Sequence, residues 1–369
     1  MTQIENITGK KAGDIAKVQP DLVLITNGFS HKVTEFVQGV KYPDKALVVY
    51  DHNVPAGLPE ESRIFREILK LSKEYGIAFK QAKGIAEKWL LESGQVKAGD
   101  IVVSGTRHSA VLGSVGAFGS GVSETELARI LESGEYQFVV PETIGVKVVG
   151  TLPENVGYID AALTFLKQAG DIAGKSIEFM GNLTDHAKQV LCEMAVDTGA
   201  MTAFAVDSCD AALTLDLSAV KPMLRMPCED LLAQTKAEIK EASVLEGTTI
   251  QAGQIGGMNG GSIEDLRKAA AMIDGKKLKL GFRLSIVPAT AQDYLMALEE
   301  GIITKFIDYK AQISAACDHD IMSQGPGVMG PKETLLTTGL YTFAGAMGNP
   351  TAKVYTASVE TIMQASFAE

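Results

Sequence analysis

The chain has 369 residues, 46% of them apolar, with 37 glycines and a formal net charge of -11. That length exceeds what one hydrophobic core ordinarily organises, so two or three α/β lobes are expected. The acidic balance, with no basic run, excludes nucleic acid as a partner, and no stretch of about 18 uninterrupted apolar residues is present to span a bilayer.

The four cysteines, Cys192, Cys209, Cys228 and Cys317, have no paired spacing. A disulfide framework is therefore not expected, and a reducing, cytoplasmic setting is. The first residues, Met1-Thr2-Gln3-Ile4-Glu5-Asn6, lack the basic and apolar regions of a signal peptide.

In chain order, 22–26 and 46–50 are β-branched apolar runs suited to buried strands. The second leads into Asp51-His52-Asn53-Val54-Pro55, and polar groups at such strand ends stand where open α/β sheets place ligands. Capping of a strand-terminating turn by Asp51 and Asn53 is the plainer explanation of the same residues. Helical spacing of Ile64, Phe65, Ile68, Leu69 and Leu71 predicts a helix over 60–75, closed by Gly76. A second helix is expected from about Ile85 to Ser93. A buried strand over 100–104 follows, then Gly105-Thr106-Arg107-His108-Ser109 and a glycine-rich stretch from Gly113 to Gly121. Ser123 reads as a helix N-cap.

A strand after Pro141-Glu142-Thr143 ends at Gly150, and helices are expected over 159–169 and 186–198. On the latter, Glu193 and Asp197 share a face. The charged segment 231–241 reads as a solvated helix and connector. Further on, a glycine-rich loop, 253–261, precedes a helix from Ile263 to Ile273 with Ser262 as its cap. That loop fits neither the dinucleotide nor the phosphate-loop pattern. Strands are expected over 281–287 and at Lys305-Phe306-Ile307, with a helix over 292–300 between them. Then comes Cys317-Asp318-His319-Asp320, dense in metal-ligating groups.

Together these segments resemble the large-subunit core of the aconitase and 3-isopropylmalate dehydratase superfamily over nearly the whole chain. The matching stretches are Asp51-His52-Asn53-Val54-Pro55, Gly84-Ile85-Ala86-Glu87, 104–121, Pro141-Glu142-Thr143, 255–267 with Ile263-Glu264-Asp265-Leu266-Arg267, and Met347-Gly348-Asn349-Pro350. The resemblance implies an α/β fold of three α/β/α lobes around a central cleft, here 1–148, 149–244 and 245–369, without the swivelling fourth domain. It also implies a small carboxylate substrate and a separate small, swivel-domain subunit as partner.

In that family the cleft holds a [4Fe-4S] cluster on three cysteines. Here Met258 stands at the first cysteine position, and the Cys-x-x-Cys pair falls on Cys317 and Asp320. One thiolate remains where an ordinary cluster needs three, so no such cluster is expected. The Asp-Ser-His-Thr motif reads Thr106-Arg107-His108-Ser109, the histidine of Gly-Ile-x-His is Glu87, and the acid on the second-lobe helix is Asp197. Two substrate-binding arginines fall on Tyr341 and Ala346.

Because the replacements are polar, the resemblance implies a rebuilt site. The expected metal set is Cys317, Asp320 and His52 around a divalent Fe, Zn or Mn ion. The expected catalytic groups are Glu87, Arg107, His108 and Asp197, and the substrate contacts Asn53, Thr106, Ser109 and Tyr341. The implied activity is that of a lyase, a hydro-lyase or isomerase on a small hydroxy-carboxylic acid. The alternative is a non-catalytic aconitase-like protein that binds a ligand or a partner subunit.

Overall fold

The computed structural model describes residues 1–170 and 172–368. Three sheets follow one another along the chain, with helices packed on their faces. The first has five parallel strands in the spatial order Ala78–Gln81, Ala46–Tyr50, Leu22–Thr26, Ile101–Ser104, Phe118–Gly121. Its central strands are buried on both faces, as their β-branched runs require, and 46–50 is buried at every position. An antiparallel ribbon, Ile15–Val18 with Tyr136–Val139, lies beside it as a separate two-stranded sheet.

The second sheet has four parallel strands, Thr202–Val206, Ser176–Met180, Thr143–Val149 and Ala211–Asp216. Its main helices are Tyr158–Ala169 and Asp185–Ala195, the latter prolonged by a 3-10 turn, Val196–Thr198. The third sheet has seven strands in the order 239–241, 223–225, 353–356, 334–337, 252–255, 283–286, 312–313. It is parallel except where Met223–Arg225 meets its two neighbours.

The helix signals act as expected at their N-termini. Ser123 accepts from the Glu126 amide at 3.3 Å and Ser262 from the Asp265 amide at 3.3 Å, satisfying donors that the first turn leaves free. The helix Pro59–Tyr75 starts on a proline and stops at Gly76 with φ 71°, a left-handed conformation that glycine adopts freely.

Two expectations fail. Lys305-Phe306-Ile307 lies inside a helix, Ile302–Asp308, rather than a strand. Its β-branched residues follow helical spacing: Ile302, Ile303 and Phe306 are buried on one side while Ile307 is 56% exposed. The segment 231–241 is a 3-10 helix, Leu231–Lys236, followed by an edge strand, Ile239–Glu241. Gln234 pins it, donating to the Leu340 carbonyl at 2.8 Å and accepting from the Thr342 amide at 3.0 Å. That buried amide outweighs the helical propensity of the flanking charged residues.

Loops from the first and third sheets meet at the strand ends. The Asp318 amide donates to the Asp51 carbonyl at 2.8 Å, and the Asn53 amide to the Asp318 carbonyl at 3.1 Å. This short bridge ties the end of strand 46–50 to the segment that follows strand 312–313.

Candidate active site

The residues at this junction enclose a small cavity of about 20 Å³, lined by His52, Glu87, Thr106, His108, Glu193, Asp318, Asp320 and Tyr341 among others. That volume holds about one water molecule.

His52 is placed by Asn27, whose side-chain oxygen accepts from the amides of Asp51 and His52 at 2.8 and 3.0 Å. Its ring fits because residue 28 is glycine; a Cβ there would lie 2.2 Å from the imidazole. His52 Nδ1 is 2.6 Å from Asp51 Oδ1 and Nε2 is 3.4 Å from Asp318 Oδ2. Burial alone lowers this imidazole, but the Asp51 and Asp318 carboxylates overcome it and hold it up at about 10. His52 is thus an imidazolium between two carboxylates, and all its ring hydrogens are engaged there.

Glu87 stands in the first turn of the helix Ala86–Glu92, whose Ala86 amide donates to Asp51 Oδ2 at 3.0 Å. Burial and the Asp51 charge push Glu87 up to about 7, while the Ser109 hydroxyl, donating at 2.7 Å, pulls the other way. Across the cavity, Thr106 caps the 3-10 helix Arg107–Val115 by accepting from the His108 amide at 3.2 Å. This fixes His108 with Nε2 3.2 Å from Asp197 Oδ1 and Nδ1 3.4 Å from the Tyr341 hydroxyl.

Asp197 is held by three cations: His108, Arg107 Nη2 at 3.8 Å from Oδ1, and Arg225 Nη1 at 2.7 Å from Oδ2. Burial would raise this carboxyl; Arg225 foremost, with His108 and Arg107, holds it well below the usual carboxylate range. Glu193, one turn earlier, is equally buried, and its two carboxylate oxygens have no hydrogen-bond partner among the described residues. Burial therefore holds it far above the usual range and neutral.

The expected metal set is not gathered around one point. The Cys317 thiol donates to the Ala315 carbonyl at 3.2 Å and the Val54 carbonyl at 3.4 Å, does not line the cavity, and is pushed up to about 12 by burial. Asp318 and Asp320 face the cavity instead, as residues two apart in an extended segment share a face and their neighbours do not. Asp320 Oδ2 accepts from the Leu340 amide at 3.2 Å, and burial with the Asp318 charge holds its carboxyl far above the usual range. Among the described residues no three His, Cys, Asp or Glu side chains stand in a metal-holding arrangement.

The other thiols are elsewhere. Cys192 lies in the second-lobe core, Cys209 reaches the Glu178 carbonyl and Cys228 the Asp230 carbonyl. With Met258 and Asp320 at the cavity and one thiol turned away from it, these residues do not fit a [4Fe-4S] cluster.

Of the expected substrate contacts, Thr106 and Tyr341 line the cavity and Ser109 reaches it through Glu87. Asn53 is turned to Glu61 Oε1 at 2.9 Å. Arg107 points away from the cavity, into a separate cleft beyond Asp197. Sequence reasoning missed Asn27, Arg225 and the roles of Asp51 and Asp318. Only Asp51 and Asp318 carried a signal, as acids flanking residues already singled out.

The model of the aconitase family (aconitate hydratase) matches residues 32–212 and 207–368. The homoaconitase large subunit of Thermus thermophilus is 28% identical over 380 residues, covering 94% of this chain and 90% of its own. The 3-isopropylmalate dehydratase large subunit of Pyrococcus horikoshii is 28% identical over 368 residues, covering 97% and 95%. The crystal structure of Thermococcus kodakaraensis aconitase X in its holo-form superposes with a TM-score of 0.58 at 13% identity, over 98% of this chain and 92% of that one, a likeness of fold. Three parallel-stranded sheets meeting at a polar cavity, and a family match over most of the sequence, lead to one conclusion: the chain belongs to the aconitase family, a family of hydro-lyases.

Proposed function

We propose that this protein removes water from, or isomerises by removing and returning water to, a small hydroxy-carboxylic acid, in a cleft that carries no [4Fe-4S] cluster. The observation that supports this reading most directly is Glu87, held at about 7 beside the His108–Asp197 pair. Loss of water from a β-hydroxy acid needs a base for the proton next to the carboxylate and an acid for the departing hydroxyl. Near pH 7 Glu87 is divided between its two forms and serves either role. His108, oriented by Asp197 as in other histidine–carboxylate pairs, serves the complementary one.

Thr106, Ser109 and Tyr341 supply hydroxyls that orient the substrate, and the His52 imidazolium gives the cavity a fixed positive charge against which a substrate carboxylate can lie. Arg107 is placed to hold Asp197 rather than to clamp that carboxylate. The Cys317, Asp320 and His52 set does not form one metal centre, and no step runs through a metal. The matched relatives are named large subunits, and we extend that to a separate small subunit as partner here. A cavity of about 20 Å³ opens further before a hydroxy acid enters it.

The test has two arms. Anaerobic incubation with iron and sulfide should leave less than one cluster per chain by absorbance and iron analysis; a stoichiometric four-iron spectrum rejects the cluster-free reading. With a panel of small hydroxy di-acids, the parent chain should form the conjugated alkene, and Glu87→Gln should lower kcat by about 10²–10⁴-fold. Unchanged kcat in that variant removes Glu87 from the chemistry.

A further inference from the structure

Beyond Asp197, on the side away from the reaction cavity, lies a second cleft of about 440 Å³. It is formed by the last turn of helix Tyr158–Ala169, the turn after helix Asp185–Ala195, the start of the 3-10 helix at Arg107, strand residue Arg225 and the segment 235–239. Four cations line it, Arg107, Lys167, Arg225 and Lys236, and Asp197 is the one carboxylate among its described lining residues. That is a local surplus of three positive charges on a chain whose net charge is -11.

Arg225 is 2% exposed and commits one nitrogen, Nη1, to Asp197 and to the Leu340 carbonyl. Lys167 and Lys236 form no ion pair with a described residue. Each lysine also sits in the last turn of its helix, where the helix dipole favours a cation. That accounts for the lysines one at a time. It does not account for two arginines and two lysines converging on one recess with a single, shared carboxylate to neutralise them. A buried guanidinium is costly unless its charge is met, and three cations already divide Asp197.

We propose that this outer cleft is an anion site, which takes the carboxylate or phosphate group of a small organic acid between Arg107, Arg225, Lys167 and Lys236. The volume lies within the range of small-molecule sites, and planar guanidinium forks match both oxyanions. The site is separate from the reaction cavity and independent of the reaction assigned there, but it shares a wall with it. An anion in the cleft competes with Asp197 for Arg107, whose 3.8 Å contact is the longest of the three, and so reaches His108 through the carboxylate.

The experiment is calorimetric titration of the full chain with inorganic phosphate and, separately, with succinate, sodium chloride holding the ionic strength constant. One saturable site per chain is expected for at least one of them. Tighter phosphate binding assigns the cleft to phosphate monoesters, tighter succinate binding to dicarboxylates, and either supports the site. The double variant Lys167→Ala/Lys236→Ala, both positions exposed, should weaken binding by about tenfold or more. Absence of saturation with both anions, or unchanged affinity in the double variant, overturns the proposal. If that variant is misfolded, amine acylation of the parent decides: bound phosphate or succinate should slow labelling of Lys167 and Lys236, and equal labelling with and without anion rejects the site.

Discussion

Glu193 and Asp197 lie four residues apart, one on a helix and one on the turn that prolongs it, at 0% and 3% exposure. Burial treats them alike, yet one is pushed far up and neutral while the other is held down and ionised. The difference is the partner. Asp197 faces Arg225, Arg107 and His108, whereas Glu193 looks into a cavity whose other carboxyls are Glu87, Asp318 and Asp320. Protonation here is decided by counter-ions, and Asp197 is the wall between an acid-rich cavity and a cation-rich cleft.

The comparison is broken most severely by Asp197→Asn. It leaves Arg225 buried without a carboxylate, and removing one member of a buried pair costs about 3–5 kcal/mol. Urea unfolding should show that loss. Glu193→Gln, in contrast, exchanges a neutral acid for a neutral amide and should cost about 1–2 kcal/mol through an unpaired donor. Equal losses in the two variants would mean that burial alone governs the pair.

Next in size is the dependence of stability on pH. Glu87 is raised from 4.5 to about 7, so its contribution is fully present below 4.5 and is lost as pH rises through 7. His52 is raised from 6.5 to about 10, so its contribution is full below 6.5 and is lost by about pH 10. Asp197 is depressed, so its contribution is present above 3.8 and disappears only as the solution becomes strongly acidic. All three signs place the greatest stability near pH 4–5, falling toward alkali. With each pKa unit worth about 1.4 kcal/mol, Glu87 accounts for at most about 3 kcal/mol of that fall. Urea midpoints across this range should decline steadily, and Glu87→Gln should flatten the decline between pH 4.5 and 7 only.

Much of the scaffold was legible because it rests on local signals: β-branched runs at the buried strands, Ser123 and Ser262 as caps, Gly76 as a stop. The strand-end motifs pointed to the cavity for the same reason. What escaped depends on contacts distant in sequence. Arg225 comes from a strand with no motif, and only the packing of that strand beside Leu340 brings it to Asp197. Arg107 and His108 are adjacent, yet the 3-10 helix sends one to the cleft and the other to the cavity. Which of Cys317 and Asp318 faces inward was set by the bridge to His52, and the spacing of a Cys-x-x-Cys pair carries no information about that bridge.

The smallest expected effect concerns that last point. If the local alternation is right, Cys317 packs against backbone carbonyls and has no part in turnover. Cys317→Ala then removes one buried sulfur, at a cost of about 1 kcal/mol from lost packing, and leaves kcat and KM within about twofold. Asp318→Asn is the matched substitution on the inward face: it withdraws one of the two charges that hold His52 protonated, so the His52 imidazole should titrate at lower pH by NMR while Cys317→Ala leaves it in place. A collapse of turnover in Cys317→Ala would turn the segment over, placing the thiol in the cavity and Asp318 outside it. An unmoved His52 in Asp318→Asn would show that Asp51 alone, at 2.6 Å, sets its charge.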